Sequence, residues 1–196
     1  MRTSCALLLL LAVFLPASRS LAQGRQPDKK PVPALSASQE ILRLWKEVHR
    51  KLIAMAEDFP EDKFDFRGQK DERTFVENLL HVAAEDDRMM SAIKGAPVGW
   101  QKQEAPTRND FKTRDQIVGF LRQTEDAGEK LIVEQGDEGL NREIKYPYGN
   151  RMVHASFGWS DIIEHAGEHY GQLVVYYRVN QLVPPESRPQ KQPPRP

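Results

Sequence analysis

Four stretches of this chain repeat their apolar residues at the period of an α-helix, and that spacing excludes most folds before any motif is considered. Ile41, Trp45, Val48, Leu52, Met55 and Phe59 alternate steps of four and three, which lines them up on one helix face. Ser36-x-x-Gln39 fits a capping box ahead of them, and Pro60 ends the run. Phe75, Leu79, Val82, Asp86, Met89 and Ile93 make a second seam, widened by Val76, Leu80, Ala83 and Ala84. A helix apolar over so wide an arc packs on more than one side. Asp71 is its expected N-cap, and Gly95 and Pro97 close it. Thr113-x-x-Gln116 opens a third helix through Ile117, Phe120, Leu121, Thr124, Leu131 and Ile132, ending before Gly136. Gly119 and Gly128 inside it each cost about 1 kcal/mol relative to alanine, so both are expected to admit a close neighbour. The fourth seam is Ile162, Ala166, His169, Leu173 and Tyr176, capped by Ser156 or Ser160 and stopped by Pro184 and Pro185. Four such helices predict an all-α protein, a four-helix bundle.

The connections are polar and uneven. Residues 61–70 read as a charged loop around Phe64 and Phe66. The segment 95–112 is long for a small domain, which is common in loops that cover a site, and Trp100 is its large apolar residue. Ile144 to Tyr148 followed by Gly149-Asn150 reads as an extended arm and turn, with Pro147 arguing against a central strand.

The first 22 residues have the composition of an export signal. Arg2 is the positive end, Ala6 to Leu15 the short apolar run, and Ser20-Leu21-Ala22 the cleavage site before Gln23. The run is too short to span a bilayer comfortably. The expected location is therefore secreted or periplasmic, with no membrane association beyond export. Residues 23–35 read as a flexible linker, 36–183 as the bundle, and 184–196 as a disordered proline-rich tail. The single cysteine, Cys5, lies in the signal segment. The mature chain then has no disulfide, thiolate ligand or cysteine nucleophile. The whole chain has 28 basic and 28 acidic residues. Losing Arg2 and Arg19 leaves it slightly acidic, and no basic field argues for nucleic acid.

The chemistry-bearing residues are histidines. His165 and His169 are four apart, one turn along one helix face, a spacing at which two imidazoles hold one metal ion. His169 also belongs to the apolar seam and should point inward. His81 lies in the second helix, and periodicity alone does not decide which way it faces. His49 falls off its seam and reads as solvent-facing or partly packed; His154 is a loop histidine without a partner spacing. Ala166 follows the first histidine, so the zinc-protease arrangement, with glutamate at that place, is absent. Glu168 would point away from the ligand face, whereas Glu85 and Glu164 are better placed to orient an imidazole.

Leu80-His81-Val82-Ala83, the run His165 to Leu173 with Gly171-Gln172-Leu173, and the run Tyr177 to Pro185 resemble the DinB family over about Leu35 to Arg188. The resemblance implies an up-up-down-down four-helix bundle, often a homodimer, with a divalent metal on His81, His165 and His169. It implies diverse activities, among them thiol transfer and metal-dependent hydrolysis or isomerisation. Three imidazoles suit zinc, nickel or iron and leave coordination positions open. Two classes of function stay open: a metal-dependent hydrolase or transferase acting on an unknown small-molecule substrate, and a non-catalytic metal- or ligand-binding module. No residue is singled out as a general base.

Overall fold

A computed structural model describes residues 34–96 and 106–189. The export signal, most of the linker, Trp100 and the end of the tail lie outside the described residues. The chain forms helices α1 (Ala37–Asp58) and α2 (Phe75–Ile93). Then come α3 (Arg114–Leu140), strands β1 (Glu143–Lys145) and β2 (Met152–His154), and α4 (Ala155–Val179). Among the described residues, no helix is long and apolar enough to cross a membrane.

The capping boxes at Ser36 and Thr113 form as read. The second helix starts three residues later than expected. Thr74, not Asp71, is its N-cap, in a reciprocal box with Glu77. α4, by contrast, begins early, at Ala155, with no side-chain cap. The Ala155 amide donates instead to the Arg142 carbonyl at 2.8 Å, so the β-hairpin sets this helix start. Ser160 returns its hydroxyl to the Ser156 carbonyl inside the helix. α3 breaks at Gly136, where φ is 56° and ψ −160°, a conformation glycine adopts without steric cost. The turn beyond the break presents Asp137, whose Oδ1 accepts from the Ser38 amide at 2.8 Å and so helps cap α1.

Pairing contacts give the direction of every helix. Phe59 at the end of α1 stacks on Phe75 at the start of α2, centroids 3.8 Å apart, while His49 meets Asp86 further along. α1 and α2 therefore run antiparallel. Ser38 meets Asp137 and Glu57 meets Arg122, so α3 is antiparallel to α1 as well. Trp45 meets Trp159, and Tyr177 donates to the Met55 carbonyl, so α4 runs parallel to α1. The order is up-down-down-up, which corrects the up-up-down-down expectation. The physical reason lies in the connections. α2 and α3 are parallel, so the link between them must return the length of a helix, about 28 Å for 19 residues. At twenty residues, the segment 94–113 is long enough for that return.

Two buried clusters fill the bundle. At one end Phe59, Phe64, Phe75 and Tyr177 pack face and edge. At the other are Trp45, Met89, Met90 and Trp159. Trp45 lies flat against Gly128. A Cβ on residue 128 would come within 2.3 Å of the indole, and the indole N–H donates to the Glu125 carbonyl at 2.9 Å. Gly119 has no neighbour within 4 Å of such a Cβ, so the expected close approach holds at Gly128 only.

The β-strands form one antiparallel hairpin with Ile144 opposite Val153. Residues 184–189 are ordered against α1, where disorder was expected. Glu186 pairs with Arg50 at 2.8 Å, and Arg188 pairs with Asp58.

Candidate metal centre

α2 and α4 cross antiparallel where the two clusters meet, between Ile162 of one and Ala166 of the other. The register faces Asn78 to His169 and His81 to His165. One turn of α4 thus delivers two imidazoles to the one that α2 supplies. His81 Nε2 and His165 Nε2 are 3.2 Å apart. The three rings stand edge to face, with centroids 5.0, 4.9 and 4.6 Å apart. One ligating nitrogen from each lies within 4.8 Å of the others. Two nitrogens on one tetrahedral ion at about 2.0–2.1 Å would be about 3.3 Å apart, close to the His81–His165 separation. His165 and His169, named from spacing, and His81, implied by the family resemblance, are brought together by the fold.

The surroundings of the three rings differ. His169 is 5% exposed, and its Nδ1 donates to Asn78 Oδ1 at 3.0 Å. The Asn78 amide nitrogen donates in turn to the Thr74 carbonyl at 3.1 Å, which orients its oxygen toward the histidine. That bond leaves His169 Nε2 as the lone-pair nitrogen, a common arrangement behind metal-binding histidines. Glu85 Oε1 lies 3.9 Å from His81 Nδ1, beyond hydrogen-bond range. Its other oxygen accepts from the Tyr148 hydroxyl at 2.5 Å. His165 Nδ1 is buried without a hydrogen-bond partner in the described structure. Burial, helped by the Arg73 charge and the other imidazoles, pushes His81 down to about 3. Burial, then His165 and Arg73, hold His169 down at about 4. Both rings are neutral in ordinary buffers, the protonation state a metal requires. The residues fit a borderline divalent ion.

These depressed values make an acid-side expectation. An unfolded chain protonates both imidazoles near their ordinary value of about 6.5, whereas the folded chain does so only near 4 and 3. Between those limits the unfolded state binds more protons, so stability falls as pH falls. Metal-free protein should lose stability from about pH 6.5 downward to about 3. Urea unfolding across that range, beside a His81→Ala/His169→Ala variant, checks this. Parallel curves for the two proteins would contradict it.

His81 and His165 line an open cavity of about 460 Å³, with His169 buried beside them. The β-hairpin forms one wall with Tyr146 and Tyr148, whose hydroxyls donate to Asp161 and Glu85. Burial and then the Glu85 hydrogen bond push the Tyr148 hydroxyl up, so it stays a donor. Glu164 lines the same cavity, and so does Glu168, which was expected to turn away. His154 is remote: it ends β2, and its Nδ1 donates to the Asn141 carbonyl.

His49 departs most from expectation. It is 2% exposed, with Nδ1 donating to the Trp45 carbonyl at 2.8 Å and Nε2 2.9 Å from Asp86 Oδ2. The signal was Asp86 itself, since a carboxylate in an apolar seam demands a buried partner.

The family model of the DinB superfamily matches residues 22–173. No curated protein matches the chain. Solved structures share the fold at low identity. A DinB-like protein from Bacillus subtilis is 17% identical, covering 72% of this chain and 92% of its own, with TM-score 0.59. One from Bacillus cereus is 16% identical over 75% and 95%, with TM-score 0.62. YfiT from Bacillus subtilis, described as a probable metal-dependent hydrolase with an unusual four-helix bundle topology, is 13% identical over 79% and 94%, with TM-score 0.60.

Proposed function

This chain belongs to the DinB superfamily, and on that premise we propose that it is a divalent-metal-dependent hydrolase of a small molecule. The supporting observation is the convergence of three imidazoles beside a solvent-open cavity of about 460 Å³ that His81 and His165 line, a size suited to a small ligand. The description of YfiT as a probable metal-dependent hydrolase agrees with this reading. His81, His165 and His169 would hold the ion, which when bound supplies Lewis acidity toward a carbonyl or a water. Asn78 fixes the His169 tautomer. Tyr148, whose hydroxyl proton is held by Glu85, presents its oxygen as an acceptor on the cavity wall. Group transfer would use the same centre with another nucleophile in place of water.

The test loads the purified protein with zinc, nickel or iron and profiles ester, amide and lactone substrates. Turnover well above that of the metal-free protein, abolished by His81→Ala, is expected. Metal-loaded protein that turns over none of these classes would reject hydrolysis and favour a binding module.

A further inference from the structure

The cavity above the triad is walled by negative charge. Glu85, Asp161, Glu164 and Glu168 all line it, and among the described residues no lysine or arginine does. Two of these carboxylates are engaged within the wall: Glu85 with Tyr148 and Arg88, Asp161 with the Tyr146 hydroxyl at 2.9 Å. Glu164 and Glu168 are different. They stand one turn apart on α4, on either side of His165 in sequence, both exposed. Among the described residues neither forms an ion pair. Like charges at this spacing repel, so the pair lacks the compensation that an ordinary surface carboxylate finds next door. Even a divalent ion on the triad together with Arg88 would leave the cavity with excess negative charge.

The remaining wall is aromatic. Tyr146 already holds a cation: the Arg151 guanidinium lies 4.6 Å from its ring centroid and 5.0 Å from that of Phe157. Arg151 is exposed and does not line the cavity. The triad and its cavity define the site, and the carboxylates decide which charge it admits. An anionic cosubstrate would meet repulsion at the mouth, whereas an ammonium would gain from both the carboxylates and the ring faces.

We infer that the small molecule taken by this cavity carries a positive charge, as an amine or quaternary ammonium group seated between Glu164, Glu168 and the tyrosine wall. This rests on the cavity being the substrate site of the proposed function. The experiment compares choline with its neutral isostere 3,3-dimethyl-1-butanol, two probes of one shape, each with one hydroxyl. Binding to zinc-loaded protein is followed by ligand-observed nuclear magnetic resonance, and zinc content is measured on the same samples. Choline should bind about tenfold more tightly. That preference should largely vanish in a Glu164→Gln/Glu168→Gln variant and weaken with added salt. Both substituted side chains are exposed, so the variant should fold like the parent. Equal binding of the two probes, tighter binding of the alcohol, a preference that survives in the variant, or no binding of choline would each overturn the inference. The readout needs no turnover. Protein that prefers choline yet hydrolyses nothing would reject the proposed reaction while leaving the charge preference standing.

Discussion

Replacing Asp86 with alanine should lower the melting temperature by roughly 10 °C, the largest stability effect expected of a single polar side chain here. Asp86 is fully buried, and His49, its partner, is 2% exposed. The imidazole is also pressed against the Trp45 ring, centroids 3.8 Å apart. Both His49 nitrogens face oxygen acceptors, so the pair must share a proton. Burial opposes charge on His49, but the Asp86 carboxylate and its hydrogen bond outweigh it and hold the imidazole above its ordinary value. Alanine would strand that ring in the core with an unpaired nitrogen. Breaking one side of a buried pair costs about 3–5 kcal/mol. Removing both partners costs less, because nothing polar is left unsatisfied. A His49→Leu/Asp86→Leu double variant should therefore recover a good part of the loss. Thermal unfolding of the single and double variants checks both statements. A single variant within about 2 °C of the parent would show the pair to be energetically idle.

Converting His165 and His169 together to alanine should weaken metal binding by at least about 100-fold, since even partners behind the ligands shift affinity by about 10–100-fold. The same variant should lose the response to chelators. A protein holding its ion at about 100 times the dissociation constant gains about 2.7 kcal/mol. That corresponds to roughly 5–10 °C for a domain of this size. The parent should drop by that amount on chelation, while the variant should not move. Elemental analysis and paired melting curves measure both. Equal metal in the two proteins, or equal response to chelator, would remove the triad from consideration.

The parts of this protein legible in its sequence are those encoded locally. Helix seams, two capping boxes and the break at Gly136 each depend on residues within a few positions of one another. His165 and His169 were readable for the same reason, and His81 followed from the family resemblance. Features made by packing were not. Nothing local states whether α2 runs with α1 or against it, and the length of segment 94–113 was the only trace of the parallel α2–α3 arrangement. Asn78 lies three residues before His81, yet it serves His169 across the helix interface. The start of α4 is fixed by a carbonyl from the hairpin, so serine positions misled. Thr74 was readable, since Thr74-x-x-Glu77 is as good a box as the other two, and Asp71 was the decoy.

The contact between Trp45 and Gly128 has an evolutionary consequence. Neither position can drift alone, because any side chain at 128 meets the indole and any smaller residue at 45 opens a void against a bare helix. Descendants of this fold should change the two sites together or keep both. A relative with alanine or serine at 128 should therefore carry a smaller residue at 45, which makes this pair a marker of descent independent of the histidines.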